Sequence, residues 1–193
     1  VTDVLVSGLS NLQYRGYDSA GVAVVNGDSI SIVKKEGKLE NLKAALENTP
    51  VEGNVGIAHT RWATHGKPSD INSHPHYNAD KTIAVVHNGI IENYKELKEF
   101  LGEKGYEFYS ETDTEVIPKL IDFLYEDNIE TAVMKATDML KDSYALGVIS
   151  SRDNNKLVGV RKQSPLIVGI GKDENFIASD IPAILDYTTD VYL

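Results

Sequence analysis

Short β-prone runs and amphipathic helical stripes alternate along this chain without the regular strand–helix–strand rhythm of a doubly wound fold. Val1, Val4, Leu5, Leu9 and Leu12 recur at helical spacing, with Thr2 or Asp3 as candidate caps. Val22 to Val25 and Ile30 to Val33 flank Asn26-Gly27-Asp28, and an Asn-Gly between β-prone runs predicts a hairpin. Leu39, Leu42 and Leu46 form a second helical stripe ending near Pro50. Val55 to Ala58 and Ile83 to Val86 read as buried strands, the latter interrupted by His87-Asn88-Gly89 and resumed by Ile90-Ile91.

Tyr94, Leu97, Phe100 and Leu101 predict a helix that stops at Gly102 or Gly105, and Phe108 a short strand. Thr112-Asp113-Thr114-Glu115 fits a capping box opening a helix that carries Val116, Ile117, Leu120, Ile121 and Leu124. Ala132, Val133, Ala136, Met139 and Leu140 mark another helix. From Tyr144 onward the pattern is β, over Ala145 to Ile149, Leu157 to Val160, Leu166 to Ile170 and Phe176 to Ala178. Together these elements predict an α+β fold with mainly antiparallel sheets.

A chain of 193 residues with 41% hydrophobic content can bury one good core, so residues 1–193 are read as a single domain. With 29 acidic against 19 basic residues, the net charge of -10 argues against a general nucleic-acid binder. No window approaches the roughly eighteen apolar residues of a membrane span, and the first residues lack a basic flank, so a cytoplasmic protein is expected. The complete absence of cysteine excludes disulfides, thiolate metal sites and a cysteine nucleophile within these residues.

The candidate chemistry is concentrated in the middle of the chain. All 5 histidines (His59, His65, His74, His76 and His87) and the single tryptophan, Trp62, fall between His59 and His87. The spacings do not match helical metal-binding arrangements, so no metal site is expected, and no motif calls for a cofactor. In His59-Thr60-Arg61-Trp62-Ala63-Thr64-His65-Gly66, an arginine, an aromatic and two hydroxyls follow a buried strand directly. That arginine can grip a carboxylate through two parallel hydrogen bonds. Trp62 either covers a ligand or belongs to the core. Asn88-Gly89 is either a hairpin turn or an oxyanion site, in which the amide of Asn88 and the N–H of Gly89 supply the two donors that acyl transfer needs. Asp113 either favours the N-terminal end of a helix dipole or binds an ammonium. Gly169-Ile170-Gly171-Lys172 lacks the full spacing of a phosphate loop and is read as a strand-end turn.

Four blocks jointly resemble one family: Tyr14-Arg15-Gly16-Tyr17-Asp18-Ser19-Ala20-Gly21, His59 to Gly66, His87-Asn88-Gly89-Ile90-Ile91-Glu92-Asn93, and Ser110-Glu111-Thr112-Asp113-Thr114-Glu115. They resemble the class II (N-terminal nucleophile) amidotransferase domains of the isomerising glutamine–fructose-6-phosphate aminotransferases, the glucosamine-6-phosphate synthases. An Asn-Gly segment alone would suit any class II amidotransferase, whereas Arg-Trp-Ala-Thr-His-Gly sets this family apart. The resemblance implies a four-layer αββα sandwich and a pocket for L-glutamine and its product L-glutamate. Arg61 would bind the carboxylate of that ligand and Asp113 its amino group. Thr64 and His65 would complete the pocket, and Trp62 would belong to the segment closing over it. Asn88 and Gly89 would form the oxyanion hole, with Arg15 and His74 as neighbouring supporting residues.

Members of the family begin with a cysteine in a short strand, whose thiolate attacks the glutamine amide while its own α-amino group shuttles the proton. The present sequence opens in the helix that should follow. The expectation is therefore a domain truncated at its N-terminus and, as it stands, unable to hydrolyse glutamine. The family's sugar-phosphate isomerase region is likewise not among these residues, and the full-length enzyme is expected to be homo-oligomeric. Two rival readings are another class II amidotransferase and a non-catalytic amino-acid-binding regulatory module.

Overall fold

Residue parity along the strands builds the architecture. The computed structural model describes all residues, Val1–Leu193. Strand β1 (Ser19–Asn26) is buried on both faces until its last residue. Its even residues Ala20 and Val22 pack with Leu9 of helix α1 (Thr2–Asn11) and with Leu39 and Leu42 of α2 (Leu39–Asn48). Its odd residues Ala23 and Val25 join Ile30 of β2 (Ser29–Glu36) and Ile57 of β3 (Gly56–Arg61), and meet Ala84 and Ile149 of a second sheet. The first sheet is antiparallel in the order β2-β1-β3, with the hairpin turning through Gly27-Asp28 between the paired Asn26 and Ser29.

The second sheet, also antiparallel, runs β4 (His76–Tyr77), β5 (Ile83–Gly89), β6 (Tyr144–Ser150), β7 (Leu157–Lys162). Ile83 and Val85 of β5, and Leu146 and Val148 of β6, turn away from the first sheet into the largest core cluster, of 17 residues. The outer layer of that cluster is α3 (Tyr94–Glu103), α4 (Val116–Leu124) and α5 (Ile129–Met139). Helix, sheet, sheet, helix is the order of layers, as the αββα sandwich requires. A third small sheet, β10-β8-β9 with β8 at Ile167–Ile170, β9 at Asn175–Ala178 and β10 at Val191–Tyr192, packs through Ile167 and Phe176 toward Val4 of α1 and Leu12 just after it. Burying each such aliphatic side chain is worth about 1.5–3 kcal/mol, so the layers rather than local propensity hold the elements in place.

Several local expectations are corrected. Val1 precedes α1 without a side-chain cap, and Thr2 Oγ1 instead donates to the Val51 carbonyl at 2.5 Å. Phe108 lies outside any strand, packed against the large core cluster. The capping box does not form, because Glu115 accepts from the Tyr109 and Ser110 N–H groups and Thr112 Oγ1 bonds Ser110 Oγ and His76 Nε2. Asn88-Gly89 is not a hairpin turn: β5 continues through both, Asn88 opposite Ala145 and Gly89 opposite Tyr144. The strand-end turn at Gly171-Lys172 is present, closed by the Gly171 N–H donating to Glu174 O at 2.8 Å.

One lysine anchors the long polar segment after β3. Lys34 Nζ donates to the carbonyls of Ser73, Ile71 and Pro75 at 2.8, 3.2 and 3.4 Å. Burial lowers the Lys34 ammonium to about 8, against the pull of Glu115 and Asp70. This anchoring delivers His74 and His76 to the rim of the second sheet.

Candidate active site

Strand β3 ends at Arg61 and β5 ends at Gly89, and the loop before α4 brings Asp113 to the same end of the sandwich. Arg61 is only 4% exposed. Its Nη2 donates to the carbonyls of His65 and Gly66, which folds the Trp62–Gly66 loop back over the strand end. Its Nη1 is buried and has no partner. Burial lowers the Arg61 guanidinium from its usual range, while the carboxylates of Asp18 and Asp113 act in the opposite sense. A buried N–H without an acceptor is costly, so Nη1 is available to an anionic ligand.

Asp113, also 4% exposed, accepts the Ile91 N–H on Oδ2 at 2.8 Å, and its Oδ1 has one long contact, to Thr114 Oγ1 at 3.4 Å. The loops carrying Arg61 and Asp113 are tied together by Asn72. Its Nδ2 donates to Lys67 O and Glu111 Oε2, both at 2.9 Å, and its Oδ1 accepts the Glu111 N–H. Gly89 has φ +123, and a Cβ there would fall 2.3 Å from Ser143 O, so only glycine fits this strand end.

The remaining predicted residues divide. His65 stands edge-on to Tyr94 at 5.6 Å, its Nδ1 buried without a partner. Thr64 is exposed, and Trp62 is 68% exposed, which removes it from the core. Arg15 and Asn88 line a cavity of about 100 Å³ together with His59, Thr60, Gly147 and Ser179, whereas Arg61 and Asp113 do not. Arg15 is held there by Ser179 Oγ at 2.9 Å and Asp180 at 3.1 Å. His74 does not face the cavity but stacks on His59, ring centroids 4.3 Å apart.

Sequence reasoning passed over three contributors. Asp18 Oδ2 accepts the Ala63 N–H at 2.5 Å, fixing the loop beside Trp62. His87 Nδ1 lies 2.8 Å from Thr114 Oγ1 and links β5 to the Asp113 loop. His59 Nε2 lies 2.8 Å from Asn88 Oδ1. Strand parity could have found the last contact, since His59 shares a face with Ile57, and Asn88 with Ala84, across the inter-sheet layer. The four interior histidines are kept neutral by burial: His59 and His87 are lowered to about 4, and His74 and His76 fall well below the usual imidazole range.

The αββα frame, with a strand end that presents Asn88-Gly89, is that of amidotransferases of the N-terminal-nucleophile class. The fold matches a glutamine phosphoribosylpyrophosphate amidotransferase from B. subtilis complexed with ADP and GMP, with TM-score 0.82 and 26% identity over 96% of this chain and 41% of that one. It also matches a structure described as the allosteric regulatory enzyme of purine biosynthesis, with TM-score 0.83 and 25% identity over the same shares. The family model described as a glutamine amidotransferase domain matches residues 59–186, and the chain belongs to that family. Among curated relatives, the glutamine–fructose-6-phosphate aminotransferase [isomerizing] of Clostridium acetobutylicum is 61% identical over 99% of this chain. The protein of the same name from Clostridium perfringens is 63% identical over 100%. The chain spans about a third of the length of these relatives, 31% and 32% respectively.

Proposed function

We propose that this chain is the glutamine-hydrolysing domain, residues 1–193, of a cytoplasmic isomerising glutamine–fructose-6-phosphate aminotransferase. It would supply ammonia for conversion of fructose 6-phosphate to glucosamine 6-phosphate on a sugar-phosphate isomerase domain of the same polypeptide, in a homo-oligomeric enzyme. The observation that carries the reading is the buried, unpartnered Nη1 of Arg61, held near Asp113 at the strand end that bears Asn88 and Gly89. Arg61 takes the α-carboxylate of glutamine and Asp113 its α-ammonium. Thr64 and His65 complete the pocket, Trp62 closes over it, and Arg15 and His74 support it from behind.

The thiolate nucleophile that the family resemblance implies is not among these residues, which contain no cysteine. Strands β3 and β9 each end their sheets, and both line the cavity beside Asn88, so a short extended segment carrying the thiol finds unpaired backbone on either side. Attack on the side-chain amide carbon forms a tetrahedral oxyanion, which the Asn88 amide and the Gly89 N–H stabilise. Its collapse to a thioester expels ammonia. Water then attacks the thioester through a second oxyanion at the same donors and releases glutamate.

Calorimetric titration with L-glutamate tests the pocket without needing the nucleophile. Binding to the chain that is lost in Arg61→Ala, and also in Asp113→Asn, supports the assignment. The second variant keeps the acceptor for the Ile91 N–H while removing the charge. A folded wild-type chain that ignores glutamate, or variants that bind it normally, would overturn the pocket.

A further inference from the structure

Asn88 has two chemically opposite ends of nearly the same shape. Presented to a developing oxyanion, its Nδ2–H donates, whereas its Oδ1 would repel, and a half-turn of the amide exchanges them without steric cost. Something other than packing must therefore set the orientation. The side chain projects from β5 into the layer between the sheets, on the same face as Ala84, and its Oδ1 meets His59 Nε2 of β3 at 2.8 Å. Its Nδ2 makes no hydrogen bond within the protein.

The imidazole of His59 is itself fixed. It lies parallel to His74, centroids 4.3 Å apart and planes 19° apart, and His74 meets His76 edge-on at 4.9 Å. His59 Nδ1 is buried without a partner. A buried N–H with no acceptor costs more than a bare ring nitrogen, and a bare Nε2 would face the Asn88 oxygen lone pair to lone pair. Both considerations place the single proton on Nε2.

We propose that His59 is the positioning residue of the oxyanion hole: its Nε2–H holds Asn88 Oδ1, so that Asn88 Nδ2 faces the reacting carbonyl. The proposal rests on the glutamine-hydrolase reading. His59 touches no reacting atom and acts only through Asn88. Its neutrality follows from the same burial that lowers it to about 4, against the hydrogen bonds to Asn88 and to the His87 backbone, so the ring carries a single proton throughout the neutral pH range.

The test is a double-mutant cycle in the full-length enzyme that carries the nucleophile, measuring glutamate release and thermal melting for His59→Leu, His59→Gln, Asn88→Ala and the two double variants. His59→Leu is expected to lower kcat about tenfold to a hundredfold, up to the lower end of the roughly hundred- to thousandfold loss typical of a missing oxyanion donor, with KM for glutamine within about threefold of wild type. His59→Gln, whose amide N–H can reach Asn88 Oδ1, recovers much of the lost kcat. In the Asn88→Ala background, neither His59 substitution lowers kcat further. Independent, multiplying effects of His59 and Asn88, or a His59→Leu enzyme that loses only melting temperature or only KM, would overturn the proposal. If His59→Leu does not fold, the decision falls to His59→Gln: a kcat loss that persists undiminished in the Asn88→Ala background sinks the idea. Full turnover by Asn88→Ala alone would remove Asn88, and His59 with it, from the oxyanion hole, whereas a wild-type enzyme that releases no glutamate would remove the glutamine-hydrolase reading, a separately visible failure.

Discussion

The indole of Trp62 lies directly over Gly16: a Cβ at Gly16 would come within 2.6 Å of ring atom Cζ3 and 3.1 Å of Cε3. Gly16 also has φ +75, which side chains other than glycine rarely adopt. Gly16→Ala is therefore expected to lift Trp62 from its seat, destabilise the chain by about 1 kcal/mol or more, and weaken glutamate binding severalfold. Trp62 is the sole tryptophan, so its fluorescence reports the displacement directly. An unchanged spectrum with unchanged affinity would show that the indole has no fixed seat there.

Glu115 and Lys119 form a buried ion pair, with side chains 6% and 3% exposed. The carboxylate also accepts the Ser110 N–H at 2.7 Å and Ser110 Oγ at 2.6 Å, and against the opposing effect of burial the Lys119 hydrogen bond first, then these bonds, hold it below the usual carboxylate range. Lys119→Met leaves that charge uncompensated and is expected to cost about 3–5 kcal/mol in urea unfolding. The double variant Lys119→Met/Glu115→Gln should recover a substantial part, because no lone charge remains. Equal losses in both variants would assign the cost instead to the lost contact of Lys119 Nζ with the Phe108 ring, 4.5 Å from its centroid.

Gly89 ends β5 where a side chain would strike Ser143 O at 2.3 Å and Tyr144 Cα at 3.1 Å. Gly89→Ala must shift backbone at φ +123, at a cost of about 1–3 kcal/mol, and it moves the N–H assigned to the oxyanion hole. In the nucleophile-bearing enzyme, kcat should fall at least tenfold while binding of glutamate through Arg61 is retained. Loss of binding with preserved kcat would reverse the roles assigned to the two ends of the pocket.

How far the sequence could be read depended on whether a side chain's partner was local. Helical stripes such as Leu39, Leu42 and Leu46, and the hairpin around Gly27, carry their own periodicity or turn chemistry, and these elements appear where expected. Asn88-Gly89 misleads as a turn because its strand conformation is imposed by pairing with Ala145 and Tyr144, more than fifty residues away. The Thr112–Glu115 capping box fails for the same reason, its side chains being drawn to Ser110, His76 and Lys119. In the site, the motifs marked Arg61 and Asp113, and the structure brings both to one end of the sandwich. The His59–Asn88 contact crosses two sheets, and only strand parity combined with knowledge of the layers exposes it.

Burial of four neutral histidines makes the fold sensitive to mild acid. In the unfolded chain these rings titrate near their usual 6.5, whereas His59 and His87 hold out to about 4 and His74 and His76 lower still. Above about pH 6.5 both states are neutral and the difference contributes nothing. As pH falls below that point the unfolded state binds protons that the native state refuses, so stability declines. The limiting slope is about 1.4 kcal/mol per pH unit for each ring, and it ends for His59 and His87 near pH 4, where the native rings also charge. Glu115 does not confuse this window, because its carboxyl, lowered in the fold, contributes fully above about 4.5 and is lost only below. Urea midpoints at pH 7, 6 and 5 should therefore fall progressively, and His76→Gln, which cannot charge, should show a shallower fall than wild type. Midpoints that stay level from pH 7 to 5 would mean that the native rings take up protons as readily as the unfolded ones, and that water reaches the His59–His74 stack.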